Sequence, residues 1–582
     1  CRALSNGPQM NKPAARISAL SLSMLLFVGC ATTSVAPTSS PAQQAAIALL
    51  EQGKPRDAAQ QLEAQAALVR GAAKSPLLAD AAFAWQEAGD SARARMLMAQ
   101  VQPRQLSGAT RQRFNLLQAE LALGDKQPAT VLQVLTENPA ALPAPLQARW
   151  YLARAQALEA TGDAFAAAAE RARAGALLSG TARNDNQRAI TRLLAGLNDA
   201  TLSSRAAALP VGDPLYNHAG RALIGRGLPL PRPFDRDTAS LDTSKRPAAD
   251  ADGYRPPVKM AVLLPLSGNL AAAGASVRDG LLAAYYGESR RRPSIDFIDT
   301  KGTASGAGAA YDKAVGNGVD FIVGPLGRDE VDALFHRSEL PVPLLALNRG
   351  KDAPPPGNAA FSLAPEDDGL MAAEYLLGRE RRNVLVIASS DDAGRRSSGA
   401  FKERFSERGG KIAATVTVGD VPADITAQLR QATGVDAILL AVKGNQARVL
   451  APQLALAGLG GVSRVGTSQL TAGTGKAEDD VALDGIAFPT EAWSSRGVAG
   501  LPAAAAVAAT LPTARGGASR LFAFGYDAWK ITAYMEKLAN STSSGLSGAT
   551  GTLHLDGFGN VLRTPAWSTF STGRPVAIGD GR

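Results

Sequence analysis

Cysteine is almost missing from this chain: Cys1 and Cys30 are the only two. No internal disulfide framework and no thiolate metal site can be built from them. Histidine is nearly as scarce. His218, His336 and His554 are scattered without the spacing of a zinc motif, so no metal and no cofactor is expected. Aromatic residues amount to 5%, and the formal charge of +9 is spread over the whole length. Nucleic-acid binding calls instead for one basic run with interleaved aromatics, so no nucleic-acid partner is expected. Beyond the N-terminus no stretch approaches a membrane span. What is there is a globular composition, 46% hydrophobic and 19% charged over 582 residues. That is too long for a single core, and two or three domains are expected.

Met10 opens a stretch with the logic of a secretory signal, and residues 1–9 are expected to lie upstream of the true start. Lys12 and Arg16 supply positive charge, and Ile17 to Val28 forms an apolar run too short to cross a bilayer. The run ends in Phe27-Val28-Gly29-Cys30, which resembles the lipobox of bacterial lipoproteins. There the thiol takes a diacylglyceryl group, so the resemblance makes Cys30 the lipidation site. The usual leucine three places before the cysteine is Phe27 here. Ala31 to Gln44 is rich in Ser, Thr and Pro and uncharged, the composition of a flexible tether. Because Ala31 is not aspartate, resemblance to sorted lipoproteins favours the outer membrane.

From residue 45 to 202 the chain is rich in Ala, Leu, Gln and Arg and nearly free of strand-like alternation. Gly53, Gly89, Gly124 and Gly162 recur 35 to 38 residues apart, each followed five places on by alanine (Ala58, Ala94, Ala129, Ala167). A glycine can end one helix in the left-handed conformation. Asp90, Asp125 and Asp163 can cap the next, and the alanine allows close packing. The pattern is similar to tetratricopeptide-type (TPR-like) helix pairs, with a plain helical bundle as the alternative. Either is a scaffold with a face for protein or polymer partners. Residues 203–257 carry eight prolines and read as an interdomain linker.

At Val258 the pattern changes to alternating strands and helices, the mark of an α/β fold. Strands are predicted at 259–264, 294–298, 319–323, 342–347, 383–388, 411–418, 435–441 and 462–466. Helices are predicted at 278–286, 311–315, 366–377 and 400–408. The run from Lys259 through Pro265-Leu266-Ser267-Gly268, followed by Asp320-Phe-Ile-Val-Gly-Pro-Leu326, resembles the first lobe of type I periplasmic binding proteins. Arg382 to Ser390 would then open the second lobe. The tail adds Phe524-Gly-Tyr-Asp-Ala528, Gly545-Leu-Ser-Gly-Ala-Thr-Gly-Thr-Leu553 and Asp556-Gly-Phe-Gly-Asn560, ahead of Arg563, Trp567 and Phe570. This order resembles the LppC family of penicillin-binding protein activators across the whole architecture. The resemblance implies a non-catalytic outer-membrane lipoprotein facing the periplasm. Its implied partner is a bifunctional class A penicillin-binding protein, whose peptidoglycan synthesis it stimulates; peptidoglycan itself is a further candidate partner.

Enzyme motifs in the same segment are incomplete. Leu470 and Ala477 break a would-be P-loop ending at Gly475-Lys476, and 458–463 lacks the last glycine of a dinucleotide fingerprint. Residues 545–549 miss the final glycine of a nucleophile elbow. Ligands of open α/β sheets sit beyond the carboxyl ends of strands. That places cleft candidates at Ser267, Asn269, Pro325, Leu326, Asn348, Arg349, Ser389, Ser390 and Lys443. They could hold a carboxylate or amide, or they could be ordinary loop caps. The alternative function is a lipid-anchored solute-binding protein of an amino-acid ABC transporter. Such a receptor gains nothing obvious from roughly 150 residues of helical repeats, whereas a periplasm-spanning adaptor does.

Overall fold

Serine followed by proline is a strong way to start a helix, since the hydroxyl caps and the proline ring presets φ. Ser40 does this for Pro41–Glu51, its side chain accepting from the Gln43 N–H. The computed structural model describes residues 40–236, 246–541 and 545–579. The signal segment, the lipobox with Cys30 and tether residues 31–39 lie outside the described residues. Tether residues 41–44 are corrected: they form the first turn of that helix. The chain divides into two units, Cys1–Phe114 and Asn115–Arg582.

The first unit contains helices Pro41–Glu51, Pro55–Leu68, Lys74–Glu87 and Ser91–Met98. Its core is small-residue packing around Ala58, Leu62, Ala79, Ala82 and Phe83. One fully buried carboxylate, Asp80, accepts from Gln43 Nε2 (2.7 Å), Thr110 Oγ1 (3.1 Å) and Arg113 Nε (2.9 Å).

The turn logic holds at three of the four glycines. Gly53, Gly89 and Gly162 have φ of 74°, 83° and 89°, and Ala58, Ala94 and Ala167 are fully buried. Asp90 and Asp163 accept from backbone N–H groups three residues on. The Gly124 turn is a correction. Helix Gly108–Gly124 runs through its glycine, and the left-handed residue is Lys126, with φ 57°. The next helix, Pro128–Val134, therefore starts two residues late, with Gln127 rather than Asp125 at its N-cap. Val131 takes the buried position and Ala129 is exposed. Pro128 accounts for the shift, because proline fits the first position of a helix.

The second unit continues with Ala144–Ala160, Ala164–Gly175, Gly180–Ala195 and Asp199–Ala207. The expectation of a linker over 203–257 is corrected. Helix Tyr216–Gly225 lies within it, and Leu215, Leu223, Leu230 and Phe234 complete a core with Phe165, Ile190 and Leu194. Proline bars a helix interior, but Pro210 and Pro214 only precede this helix and Pro229 follows it. Further on, Arg246 and Tyr254 are buried, Tyr254 in the core of the next domain.

That domain is two-lobed. The first lobe opens with β1 (Lys259–Leu264), β2 (Ser294–Asp299), β3 (Phe321–Val323), β4 (Leu344–Ala346) and β5 (Ala359–Phe361). The second takes β6 (Asn383–Ser389), β7 (Lys411–Val418), β8 (Ala437–Ala441), β9 (Ser463–Gly466) and β10 (Ala487–Thr490). The chain then returns to lobe 1 for β11 (Leu546–Ser547), β12 (Thr552–Leu555) and β13 (Asn560–Thr564). It ends in lobe 2 with β14 (Ala566–Ser571) and β15 (Arg574–Ala577). The two sheets run β11-β12-β13-β5-β4-β3-β1-β2 and β15-β14-β10-β9-β8-β6-β7. Each therefore contains the doubly wound order 2-1-3-4-5. This repeated parallel core is the expected periplasmic-binding-protein type of fold. Strands such as β8, Ala-Ile-Leu-Leu-Ala, are buried throughout because helices cover both faces.

Two tail motifs lock lobe 1. Helices Ala271–Gly287 and Ala518–Ala533 cross at Gly280 and Gly525. A Cβ at Gly525 would lie 1.9 Å from the Val277 carbonyl oxygen, and one at Gly280 1.8 Å from that of Phe522. Two residues on, Asp527 is fully buried and accepts from the Ala549 N–H (2.6 Å), the Thr550 N–H (2.7 Å) and Thr550 Oγ1 (2.6 Å). Burial pushes its carboxyl up to about 6. The motifs around Gly525 and Gly548 are thus two halves of one joint.

Candidate functional site

The nine cleft candidates sit at strand ends as expected, but each lobe uses most of their polar groups itself. In lobe 1, Ser267 Oγ donates to Asp299 (2.6 Å), closing the turn after β1. Asn269 is exposed. The Pro325 carbonyl accepts from the Leu347 N–H (2.9 Å), and Asn348 Nδ2 donates to the Leu326 carbonyl (2.9 Å). In lobe 2, Lys443 Nζ lies 3.2 Å from Asp391. Ser389 is buried and accepts from Gln446 Nε2 (3.3 Å), while Ser390 is exposed. The structure thus brings Leu326 together with Asn348 in one lobe, and Ser389 near Lys443 in the other through Asp391 and Gln446.

Arg349 is different, because it reaches across the lobes. Its guanidinium makes a two-pronged pair with Asp367, at 2.8 and 2.9 Å. Asp367 stands in the first turn of Pro365–Leu377, the helix that opens lobe 2. The Asp367 charge raises the Arg349 pKa against the opposing effect of burial. The next residue, Asp368, faces inward. It lies 3.6 Å from Arg520 and 3.7 Å from Arg563, both carried by lobe 1. Two successive aspartates of one lobe therefore take three arginines of the other.

The chain crosses between the lobes three times, after Phe361, after Thr490 and after Thr564, and this cluster sits beside those crossings. Glu491, on the second crossing, lies 3.3 Å from Arg520. Ser468 of lobe 2 donates to Asp368 through its hydroxyl and, at 3.2 Å, its N–H. Burial, then the neighbouring Arg520 charge, push the Arg563 pKa down. Burial would lower that of Arg520 too, but Asp368 and Glu491 outweigh it. Charges this well shielded from water interact far more strongly than surface pairs. What the arrangement can do is hold the two lobes at a set angle.

Comparison with known proteins places this geometry. The LppC lipoprotein family model matches residues 254–434 and 423–573, more than half of the chain. The chain belongs to the LppC lipoprotein family. Among its relatives is a penicillin-binding protein activator LpoA of Photobacterium profundum, 26% identical over 352 residues, 54% of this chain and 56% of that protein. An LpoA of Vibrio antiquarius is 25% identical over 419 residues, covering 68% of this chain and 69% of its own. The first of these matches spans little more than half of the relative's length. A crystal structure of Haemophilus influenzae LpoA shares the fold, with a TM-score of 0.53 and 18% identity over 89% of this chain and 97% of that one.

In this LppC member the sequence pattern marks none of the interlobe ionic residues other than Arg349 as a site. Arg563 had a signal: strand alternation places it on the same face as buried Val561, and a cation facing a core needs a partner. Asp367 and Asp368 read from sequence only as acids in a helix's first turn, where they favour the dipole. Among the described residues no group of three or more His, Cys, Asp and Glu could hold a metal ion. No helix among them is long and apolar enough to cross a membrane.

Proposed function

We propose that this chain is a lipoprotein anchored through Cys30 to the outer membrane, facing the periplasm, and that it activates a class A penicillin-binding protein without catalysing a reaction itself. The carrying observation is membership of the LppC family, among relatives named penicillin-binding protein activators. The ionic cluster supports the same reading. A solute receptor traps its ligand by swinging its lobes, whereas an adaptor needs a surface of fixed shape. Here most of the strand-end polar groups are engaged within their lobes, and Arg349, Arg520 and Arg563 tie one lobe to the other.

The experiment is to add the purified protein to a class A synthase from the same cell and follow glycan polymerisation and crosslinking. The expected result is a rise in either rate. No stimulation, together with tight binding of a free amino acid, would return the transporter-receptor reading. Cys30→Ser is expected to move the protein from the membrane fraction to the soluble one.

A further inference from the structure

Beyond the strand ends, a cavity of about 660 Å³ opens where three parts of the second unit meet. Helices Gly180–Ala195 and Tyr216–Gly225 form one side, the end of β13 a second, and helices Pro365–Leu377 and Asp392–Glu407 the third. Its size falls within the on the order of 300–1,000 Å³ typical of small-ligand sites, too small for a folded domain. Ile224, Leu370, Met371 and Leu562 give it an apolar floor.

The charged groups around it divide into two sets. Arg349 is paired with Asp367, Arg404 with Glu374 at 3.2 Å, and Arg221 with Asp556 at 3.1 Å. Arg188 is paired with Asp185, Glu366 with Arg396 at 2.8 Å, and Arg563 lies 3.7 Å from Asp368. Glu403 and Glu407 are different. They lie one turn apart on the same helix face, both line the cavity, and neither makes an ion pair or hydrogen bond among the described residues. Burial holds the Glu407 carboxyl above its ordinary range; Arg404 offsets this in part, Glu403 adds to it, and Arg192 also opposes it. The side contributed by Gly180–Ala195 offers neutral groups at helical spacing, Asn184, Gln187 and Thr191. Carboxylates without an ion-pair partner on one wall, amide and hydroxyl groups on another and an apolar floor together match one ligand chemistry.

We infer that this cavity binds a short peptide bearing a free ammonium group, which Glu403 and Glu407 receive while Asn184, Gln187 and Thr191 bond its backbone amides. The occupant would touch the helical stack and both lobes at once, with the Arg349–Asp367 pair in its wall. This site is separate from any synthase-docking surface, and its test does not depend on stimulation of a synthase.

The test is calorimetric titration of the full chain with N-acetyl-Ala-Lys-Ala-amide, in which the lysine carries the one ammonium group. Saturable binding is expected, weakened at least about tenfold by acetylating that lysine, as befits loss of a charge-assisted hydrogen bond. The E403Q/E407Q variant should lose affinity by a similar factor with its melting temperature unchanged, since neither side chain supports a neighbour. Hydrogen exchange should slow in 180–195 and 392–407 when the peptide is bound. Absence of saturable binding up to about 10 mM, equal affinity for the acetylated peptide, or unchanged affinity in the double variant would each overturn the assignment. Methylamine binding as tightly as the peptide would overturn the role of the amide wall.

Discussion

Replacing Asp527 by asparagine tests the joint between the two tail motifs in a way that burial and hydrogen bonding pull in opposite directions. The carboxylate has three donors on it, from Ala549 and Thr550, and no access to water. Were the hydrogen bonds to dominate, the charged form would be favoured in the folded state. Burial instead dominates and raises the carboxyl from 3.8 to about 6. The folded state then holds this proton more tightly than the unfolded chain does. The residue's contribution is therefore fully present below about pH 4 and declines as pH rises through about 6. A shift of this size corresponds to about 3 kcal/mol between those limits. Asparagine is neutral throughout, so it keeps one acceptor and removes the slope. Denaturant unfolding of both proteins at pH 4.5 and 7.5 measures the difference. The wild type's advantage over Asp527→Asn should shrink by about 2 kcal/mol between these two pH values. An advantage that grows with pH would show that the donors outweigh burial, and the account of the joint would be wrong.

Three further outcomes follow from packing and charge. Gly525→Ala gains about 1 kcal/mol of helix propensity, yet its methyl would meet the Val277 carbonyl at 1.9 Å. The net effect should be a loss of at least about 2 kcal/mol in thermal or denaturant unfolding. Asp368→Asn leaves Arg520 and Arg563 with only Glu491 and the Asp367 already paired with Arg349, and should cost about 3–5 kcal/mol and broaden the interlobe distances between paired spin labels. Adding Arg563→Met should restore part of the loss. In the first unit, Asp80→Ala strands the Arg113 guanidinium and should cost about 3–5 kcal/mol. Its signature is faster hydrogen exchange in helices Pro41–Glu51 and Lys74–Glu87.

The elements legible in the chain are those whose cause is local. A glycine followed by aspartate marks the turns at Gly89 and Gly162, because one residue takes positive φ and the next caps. Continuous apolar runs announce β1, β6 and β8, because a parallel strand is buried on both faces. Where local signals compete, the reading slips: Pro128 moves the Gly124 turn by two residues, and prolines around 216–225 hide a packed helix. β5, β10 and the strands from β11 onward are not legible in the sequence, because they are short and, apart from β5, carry polar residues or proline. The place of these last strands in the sheets depends on partners such as β5 and β10, far away in sequence.

The order of the modules, three of the four glycine turns and the strand-end positions of the cleft candidates were determined by the sequence alone, since each follows from neighbours within a few residues. Only the tertiary structure decided what those candidates do. Arg349 meets Asp367, and Asp368 meets Arg520 and Arg563, across separations of 18 to almost 200 residues. No periodicity records such pairings. They exist because three chain crossings bring two lobes together and bury their opposite charges side by side away from water.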